Sequence, residues 1–325
     1  MSDIPPDFPS PSLEGSSQKA AVATAPDTAT QVFADHRELL FSIVYNMLGS
    51  VADTEDVLQE TWLPWANRNQ APTVERVENP RAYLVRVAVN RALAHRATVS
   101  RRRETYVGPW LPEPLVGPLV DTPITGDAAD AAVRAESVSM ALLVVLETLT
   151  PLERAVFVLH EVFGYAHTEI ADILGRSPSA VRQLAHRARE HVQARRPRFQ
   201  ADPRVRQQVT ERFLAAALGG DLDALLQLLA PEVTLWSDGG GRTHAGGGLR
   251  PVHGRDKVAR LLLGIAARFG KALDVVYRSV NGDPSALLFA DDTPYAVIVL
   301  DLTPDGGQVR GIYSVANPDK LSHVN

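Results

Sequence analysis

The stretch HTEIADILGRSPSAVRQLAHRAR, residues 167–189, predicts two short helices joined by a tight turn. Gly175 falls where the first helix must stop, and Ser177 is placed to cap the second. Pro178 then occupies the first helical position, where a missing N–H costs nothing. Apolar residues recur at helical spacing and would pack the two helices together: Ile170, Ala171, Leu174, Val181, Leu184 and Ala185.

This pattern is a helix-turn-helix, whose second helix would enter a DNA major groove by its N-terminal end. The outward side chains are donors suited to base edges and phosphates: Ser179, Arg182, Gln183, His186, Arg187 and Arg189. The alternative is a solvated helical hairpin whose arginines only maintain solubility. The helix cap, the turn residues and the positive charge are all those of a DNA-binding helix-turn-helix, so the stretch favours DNA binding over the solvated hairpin.

The charge distribution supports local contact with nucleic acid, although the 325-residue chain has a formal net charge of -5. Seven arginines and no acid lie in residues 81–103, and seven arginines with one acid lie in residues 176–198. Basic blocks on an acidic chain indicate localised DNA contact rather than general adhesion.

Several classes of protein are disfavoured. The chain has no cysteine, which excludes disulfides and thiolate metal sites, and we expect neither a metal nor a cofactor. No apolar run is long enough for a membrane span, and residues 1–30 lack the features of a signal peptide. This Pro- and Ser-rich leader predicts a disordered tail, and we expect a cytoplasmic protein without membrane contact.

Residues 31–104 predict helices throughout. The second of these helices, from about Ser50, presents an outward cluster of acidic and polar side chains: Asp53, Glu55, Asp56, Gln59 and Glu60. Acids in a first turn favour the helix dipole, but this cluster exceeds what capping needs and favours a basic partner surface. Pro64 is expected to kink or end this helix unless it begins a new turn.

A polar loop, residues 67–79, leads to a basic helix that begins at Pro80. Its outward residues are available to a partner: Arg86, Asn90, Arg91, His95 and Arg96. Residues 105–137 form a linker in which proline and glycine deny regular structure. Its apolar residues, Trp110 and Leu111 among them, predict that it packs on a domain. Residues 138–200 then carry an apolar helix, a Thr150–Glu153 capping signature and the helix-turn-helix.

Residues 201–325 change character, with helices first and short β-like runs afterwards. This order predicts an α+β cone in which a curved sheet wraps around helices. The pattern resembles the SnoaL-like domains, which are related in fold to ketosteroid isomerase. This resemblance implies an apolar cavity, so an isomerase-like enzyme is an alternative. The candidate catalytic residues are Asp238, His244, His253, Asp274 and Tyr277, and no pair of them has a telling spacing. Isolated polar residues of this kind more often cap loops, so catalysis is not favoured.

Three stretches together resemble the extracytoplasmic-function sigma factors of bacterial RNA polymerase. YNMLGSVADTEDVLQETW (45–62) resembles sigma region two, whose acidic helix binds the polymerase beta-prime clamp. NPRAYLVRVAVNRAL (79–93) resembles the part that melts and reads the -10 promoter element. The stretch from residue 149 to residue 189 resembles sigma region four, which reads the -35 element. WLPEP (110–114) and the extra domain narrow the match to the subgroup with a SnoaL-like extension, related in fold to ketosteroid isomerase.

The resemblance implies roles for particular residues. The cluster from Asp53 to Glu60 would contact polymerase, while Asn90, Arg91, His95 and Arg96 would lie near -10 DNA, with a flipped-out base held against the 67–79 loop. The two further motifs of the subgroup, DGGGR and NPDKL, imply that the extension contacts the linker and region two. The residues expected in this regulatory contact are Trp110, Leu111, Pro112, Glu113, Asp238, Gly239, Gly240, Gly241, Arg242, Asn317, Pro318, Asp319, Lys320 and Leu321.

Three readings follow from the sequence. The first is an alternative sigma factor whose fused domain modulates its activity, with core polymerase and promoter DNA as partners. The second is a one-component helix-turn-helix regulator that senses a small ligand in the cone, which leaves the acidic helix unexplained. The third is an enzyme with accessory helices, which leaves both basic helices unexplained. A small ligand in the C-terminal domain stays open under the first reading as well.

Overall fold

A computed structural model describes residues 28–70, 77–104, 106–118, 138–195, 201–241, 250–269 and 272–324. The predicted N-terminal tail lies almost wholly outside these ranges, as do residues 119–137 of the linker. None of the helices within the described ranges is both long and apolar enough to span a bilayer.

The first helical domain consists of α1 (Thr28–Leu48), α2 (Val51–Gln70) and α3 (Pro80–Glu104). Leu40, Ile43 and Leu84 lie in its core, fully shielded from solvent. Of the two outcomes expected at Pro64, a kink or a helix end, the helix end is wrong, because α2 continues through this residue to Gln70. Next to it, buried Trp65 donates its indole N–H to the carbonyl of Ala29 at 2.8 Å, so tertiary packing holds this turn despite the lost backbone bond.

The second helical domain consists of α4 (Met140–Leu146), α5 (Pro151–Phe157), α6 (His167–Leu174) and α7 (Pro178–Arg195). The end of α5 widens into a π-helical turn, Val158–Val162. The predicted capping signature is present at the start of α5: the Thr150 hydroxyl accepts from the Glu153 amide at 3.3 Å, and the Glu153 carboxylate accepts from the Thr150 amide at 3.2 Å. This exchange satisfies backbone donors that a helix start leaves free.

The C-terminal domain is the expected α+β cone. It contains α8 (Pro203–Gly219), α9 (Leu222–Leu228) and α10 (Arg255–Phe269), followed at the chain end by α11 (Pro318–Leu321). Its strands are β2 (Leu229–Asp238), β3 (Val252–His253), β4 (Asp274–Val280), β5 (Asp283–Ala290), β6 (Thr293–Leu302) and β7 (Val309–Val315). The β-like runs of the sequence, which are residues 233–236, 272–277, 285–289, 296–300 and 309–314, correspond to β2, β4, β5, β6 and β7.

Among the described residues, the linker adds a strand β1 (Val116–Gly117), and the mixed sheet has seven strands in the order β1-β4-β5-β6-β7-β2-β3. This linker strand pairs antiparallel with β4, placing Val116 opposite Val280. The β2 and β7 strands pair in parallel, and the other neighbours are antiparallel. The linker is therefore part of the C-terminal domain's hydrogen-bonding pattern.

Hydrophobic packing joins all three domains. One continuous core runs from Leu84 in the first helical domain to Ile170 and Val181 in the second. A second core fills the cone. A third lies on another face of the sheet, where Leu111 of the linker and Met140 of α4 pack with strand and C-terminal residues. The domains are thus held together by apolar burial as well as by polar contacts.

Candidate functional site

The helix-turn-helix of α6 and α7 has the local structure that the sequence predicts. Gly175 ends α6 in the left-handed conformation, with φ of 61°, which glycine adopts without steric cost. The Ser177 hydroxyl accepts from the Ala180 amide at 3.2 Å and caps α7. Ile170 and Val181 are buried where the two helices pack. The first end of the turn is therefore fixed by backbone conformation and the second by a side-chain cap.

The side chains predicted to contact -35 DNA occupy the outer side of α7. Ser179, Arg182, Gln183, His186 and Arg187 are exposed. Arg189 is partly exposed and forms an ion pair with Glu161 at 2.5 Å. Arg187 lies 3.5 Å from the Glu153 carboxylate. The arrangement presents a polar and basic helix face to solvent, which is what major-groove entry requires.

The acidic side chains of α2 fall into two groups. Asp56, Gln59 and Glu60 are exposed. Asp53 lies 3.1 Å from the imidazole of His95, and Glu55 forms an ion pair with Arg37 at 2.7 Å. Asp56, Gln59 and Glu60 therefore form the accessible face, although Glu60 has Arg91 of α3 nearby. The carboxylates of Asp53 and Glu55 are less exposed and have partners within the domain.

The residues expected near -10 DNA do not form one free surface on α3. Arg91 is exposed and lies 3.6 Å from Glu60. The exposed Asn90 donates its side-chain amide to the carbonyl of Ile173 in α6, at 3.0 Å. The second helical domain therefore rests against the helix predicted to read the -10 element. Part of the 67–79 loop, residues 71–76, lies outside the described residues.

Arg96 corrects the sequence prediction. Its side chain is 6 % exposed, and its guanidinium donates to the Met47 carbonyl at 2.6 Å and to the Glu147 carboxylate at 3.4 Å. A buried guanidinium with these partners cannot contact DNA in this conformation. The helical spacing placed it beside Asn90 and Arg91, but the second helical domain covers its position.

Arg96 belongs to a buried polar cluster between the two helical domains, which sequence reasoning missed. Arg154 of α5 is 1 % exposed, donates its Nε to the Asn46 carbonyl at 2.8 Å, and also binds Glu147. Two guanidinium groups therefore share one carboxylate and bind consecutive carbonyls at the C-terminal end of α1. Cations are favoured at a helix C-terminus because the carbonyls there carry partial negative charge.

The three predicted regulatory motifs meet around Asp238, which is fully buried. Its carboxylate accepts a hydrogen bond from the Tyr106 hydroxyl and one from the Leu111 amide at 2.8 Å. The ammonium of Lys320 lies 2.7 Å from the same carboxylate. We call this group of linker and C-terminal residues the Asp238 site. It brings WLPEP, DGGGR and NPDKL together.

The NPDKL segment supplies the cation of the Asp238 site. Lys320 is 7 % exposed, donates to the Leu111 carbonyl, and lies 4.1 Å from the centroid of the Trp110 ring, a cation–π contact. Asn317 donates to the Tyr106 hydroxyl at 2.8 Å. A buried ammonium that finds a carboxylate, a carbonyl and an aromatic face has its charge well compensated.

The remaining regulatory residues take lesser parts in this contact. Gly240 has φ of 63°, and a Cβ there would lie 2.7 Å from Asn317, so glycine is required. Gly239 and Leu321 are buried, whereas Pro318, Asp319 and Gly241 are exposed. Arg242 lies outside the described residues.

The linker joins the Asp238 site to the first helical domain through Glu113. The Glu113 amide donates to the Gly49 carbonyl at 2.9 Å, and its carbonyl accepts from the Tyr45 hydroxyl at 2.5 Å. Its carboxylate accepts from the Val51 amide at the start of α2. Burial raises the pKa of Glu113, while this backbone bond and Lys320 act in the opposite direction.

A second connection between the C-terminal domain and the first helical domain was not predicted from the sequence. Asn281, in the turn between β4 and β5, donates to the Tyr45 hydroxyl at 2.8 Å and accepts from the Leu115 amide at 3.3 Å. The Asn281–Gly282 pair signals only a hairpin turn in the sequence. Nothing in the local pattern links it to a tyrosine of α1.

The candidate catalytic residues Asp238, His253 and Asp274 do not converge on one site. Asp238 is committed to the linker, and His253 is exposed and bonded to Thr234 at 3.0 Å. Asp274 is exposed, and His244 lies outside the described residues. Within the described ranges no group of three or more acidic or histidine side chains is placed to hold a metal ion.

Two family descriptions match the helical domains. "Sigma-70 region 2" matches residues 32–102, and "Sigma-70, region 4" matches residues 139–192. The chain is 38 % identical over 296 residues to the ECF RNA polymerase sigma factor SigJ of Mycobacterium tuberculosis, covering 88 % of this chain and 91 % of that protein. It is 31 % identical to the probable ECF RNA polymerase sigma factor SigI of the same species, covering 91 % and 95 %.

The fold agrees with these sequence matches. The crystal structure of Mycobacterium tuberculosis SigJ superposes with a TM-score of 0.69 at 36 % identity, covering 90 % of this chain and 98 % of the other. The resemblance inferred from the motifs is confirmed, and so is the fold class of two sigma domains followed by a SnoaL-like domain. On the strength of both helical domains and of near full-length similarity, the chain belongs to the extracytoplasmic-function RNA polymerase sigma factors.

Proposed function

We propose that this chain binds core RNA polymerase and directs promoter-specific initiation, and that its C-terminal domain modulates this activity in cis. The proposal assigns binding roles, not catalysis, to the polar surfaces. The observation that carries it is the exposure of two opposite charge types on separate sigma domains. The α2 helix exposes Asp56, Gln59 and Glu60, and α7 exposes Arg182 and Gln183.

Promoter binding would require the two helical domains to separate. The -35 and -10 elements lie roughly 25 base pairs apart, or about 85 Å at ~3.4 Å per base pair. In this structure Asn90 of the -10 helix is bonded to Ile173 of the helix-turn-helix. One compact body cannot place both helices on elements so far apart. The described conformation is therefore a closed state, and the bound state is an open one.

The Asp238 site supports a regulatory role for the C-terminal domain. It fixes the linker at Leu111, two residues from the point where Glu113 binds the first helical domain. The third hydrophobic cluster also fixes Met140 of the second helical domain to the sheet. The extension thus contacts both sigma domains and can favour one arrangement over the other.

In vitro transcription with core polymerase and a promoter library tests this function. We expect core plus the full chain to yield promoter-specific transcripts. If no transcript forms while the chain alone footprints an operator, the one-component regulator is correct instead. Chains cut after Val315 and after Phe199 test regulation, and equal activity of both with the full chain would remove the regulatory role.

A further inference from the structure

Glu113 of the linker contacts the N-terminal end of α2, the helix proposed to bind polymerase. The Ser50 hydroxyl already accepts from the Asp53 amide at 3.3 Å, which caps the third position of the helix. The Glu113 carboxylate accepts from the Val51 amide, at the first position, and lies 3.5 Å from the Ser50 hydroxyl. A helix start has four amides without helical partners. The linker therefore provides part of the cap that α2 cannot provide itself.

The linker is stiff where it connects this cap to the Asp238 site. Glu113 lies between Pro112 and Pro114, whose rings fix their own φ angles and restrict the residue before each. Leu111, one residue before Pro112, is held at both backbone groups: its amide donates to Asp238 and its carbonyl accepts from Lys320. A displacement at Leu111 is thus transmitted to Glu113 across a single proline.

Close packing against the first helical domain limits other positions for the linker. Gly49 has φ of 71°, and a Cβ there would lie 3.0 Å from the Trp110 ring and 3.5 Å from Pro112. Pro112 and Pro114 are themselves buried. The Trp110 ring also carries the Lys320 ammonium on its face. One linker segment therefore contacts the start of α2 and the Asp238 site together.

We propose that Glu113 is a positioning residue that couples the C-terminal domain to polymerase binding by completing the cap of α2. The inference rests on the proposed function, since it assumes that α2 binds core polymerase. The cap lies at the end of the helix, away from the exposed Asp56, Gln59 and Glu60. The linker therefore orders the docking helix without covering its accessible face. Loss of Lys320 should weaken polymerase binding, as loss of Glu113 does, because Lys320 holds the linker at the Leu111 carbonyl.

The test uses the full chain, with core affinity and amide hydrogen exchange as its two measurements. Loss of a cap costs about 1 kcal/mol, so Glu113→Ala is expected to weaken core binding about fivefold. Faster exchange is expected at residues 51–53. Glu113→Gln keeps an acceptor oxygen and should lose less affinity. Glu232→Gln, an exposed carboxylate on β2, is the matched control and should match the wild type in both measurements.

The coupling itself is tested by a double-mutant cycle. Lys320→Met alone should weaken core binding and raise exchange at residues 51–53, but it should add little in the Glu113→Ala background. Additive losses would overturn the coupling, as would unchanged exchange at the start of α2 in Lys320→Met. Unchanged core affinity in both Glu113 variants would overturn the positioning role. If the wild type does not bind core at all, the proposed function fails, while exchange still decides whether Lys320 controls the cap.

Discussion

Replacement of Arg154 by methionine is expected to lower the free energy of unfolding more than replacement of an exposed arginine does. The guanidinium is 1 % exposed, donates to the Asn46 carbonyl at 2.8 Å and binds Glu147. Breaking a buried ion pair by removing one partner costs ~3–5 kcal/mol. Glu147 keeps Arg96 at 3.4 Å and is itself partly exposed, which points to the lower end of that range. A loss of ~3 kcal/mol corresponds to about a hundredfold change in the folded-to-unfolded ratio.

Urea denaturation followed by circular dichroism measures this loss. The matched control is Arg212→Met, which removes an exposed arginine of α8 and should change the free energy of unfolding by less than ~0.5 kcal/mol. Native-state hydrogen exchange adds a local measurement, because opening between the helical domains exposes amides of α3 and α6. A free energy of unfolding within 1 kcal/mol of wild type for Arg154→Met, on the order of the control, would refute the reasoning.

Three other predictions follow from the same contacts. Gly240→Ala should lower the free energy of unfolding by ~1–3 kcal/mol, measured by urea denaturation, because its φ is 63° and the new Cβ would meet Asn317 at 2.7 Å. Arg182→Ala should change -35 sequence preference in a promoter-library selection, whereas Arg189→Ala should weaken binding to all sequences alike; an unchanged preference in the first would refute the placement of the recognition helix. The free energy of unfolding should fall above about pH 10 in an alkaline denaturation series, because burial raises the pKa of Tyr45 far above its ordinary value of 10.0. The contribution of the protonated Tyr45 hydroxyl is fully present below the pKa of the unfolded state and is lost as the pH rises towards the pKa of the folded state. Tyr45→Phe should therefore reduce the loss.

Local features of the sites could be predicted from sequence because short-range chemistry creates them. Gly175 and Ser177 define the helix-turn-helix through backbone freedom and side-chain capping, and both act within a few residues. The Thr150–Glu153 cap and the order of helices and strands in the C-terminal domain are predicted for the same reason. The outward position of Arg182 follows from the helical period alone.

Arg96 shows where periodicity was insufficient. The helical spacing places its side chain with Asn90 and Arg91, but the approach of another domain decides whether that side faces water. Its partner Glu147 is 51 residues away in the chain. A free surface on one helix therefore cannot be inferred from that helix alone.

The motifs, the family resemblance and the direction of most polar faces could be predicted from the amino-acid order, because these depend on spacing within single elements. Which motifs meet depends on how distant parts of the chain pack. Asp238 and Lys320 are 82 residues apart, and Tyr45 and Asn281 are 236 apart. Such pairs form when separately folded elements pack together, and their stability comes from mutual burial and charge compensation that no local pattern records.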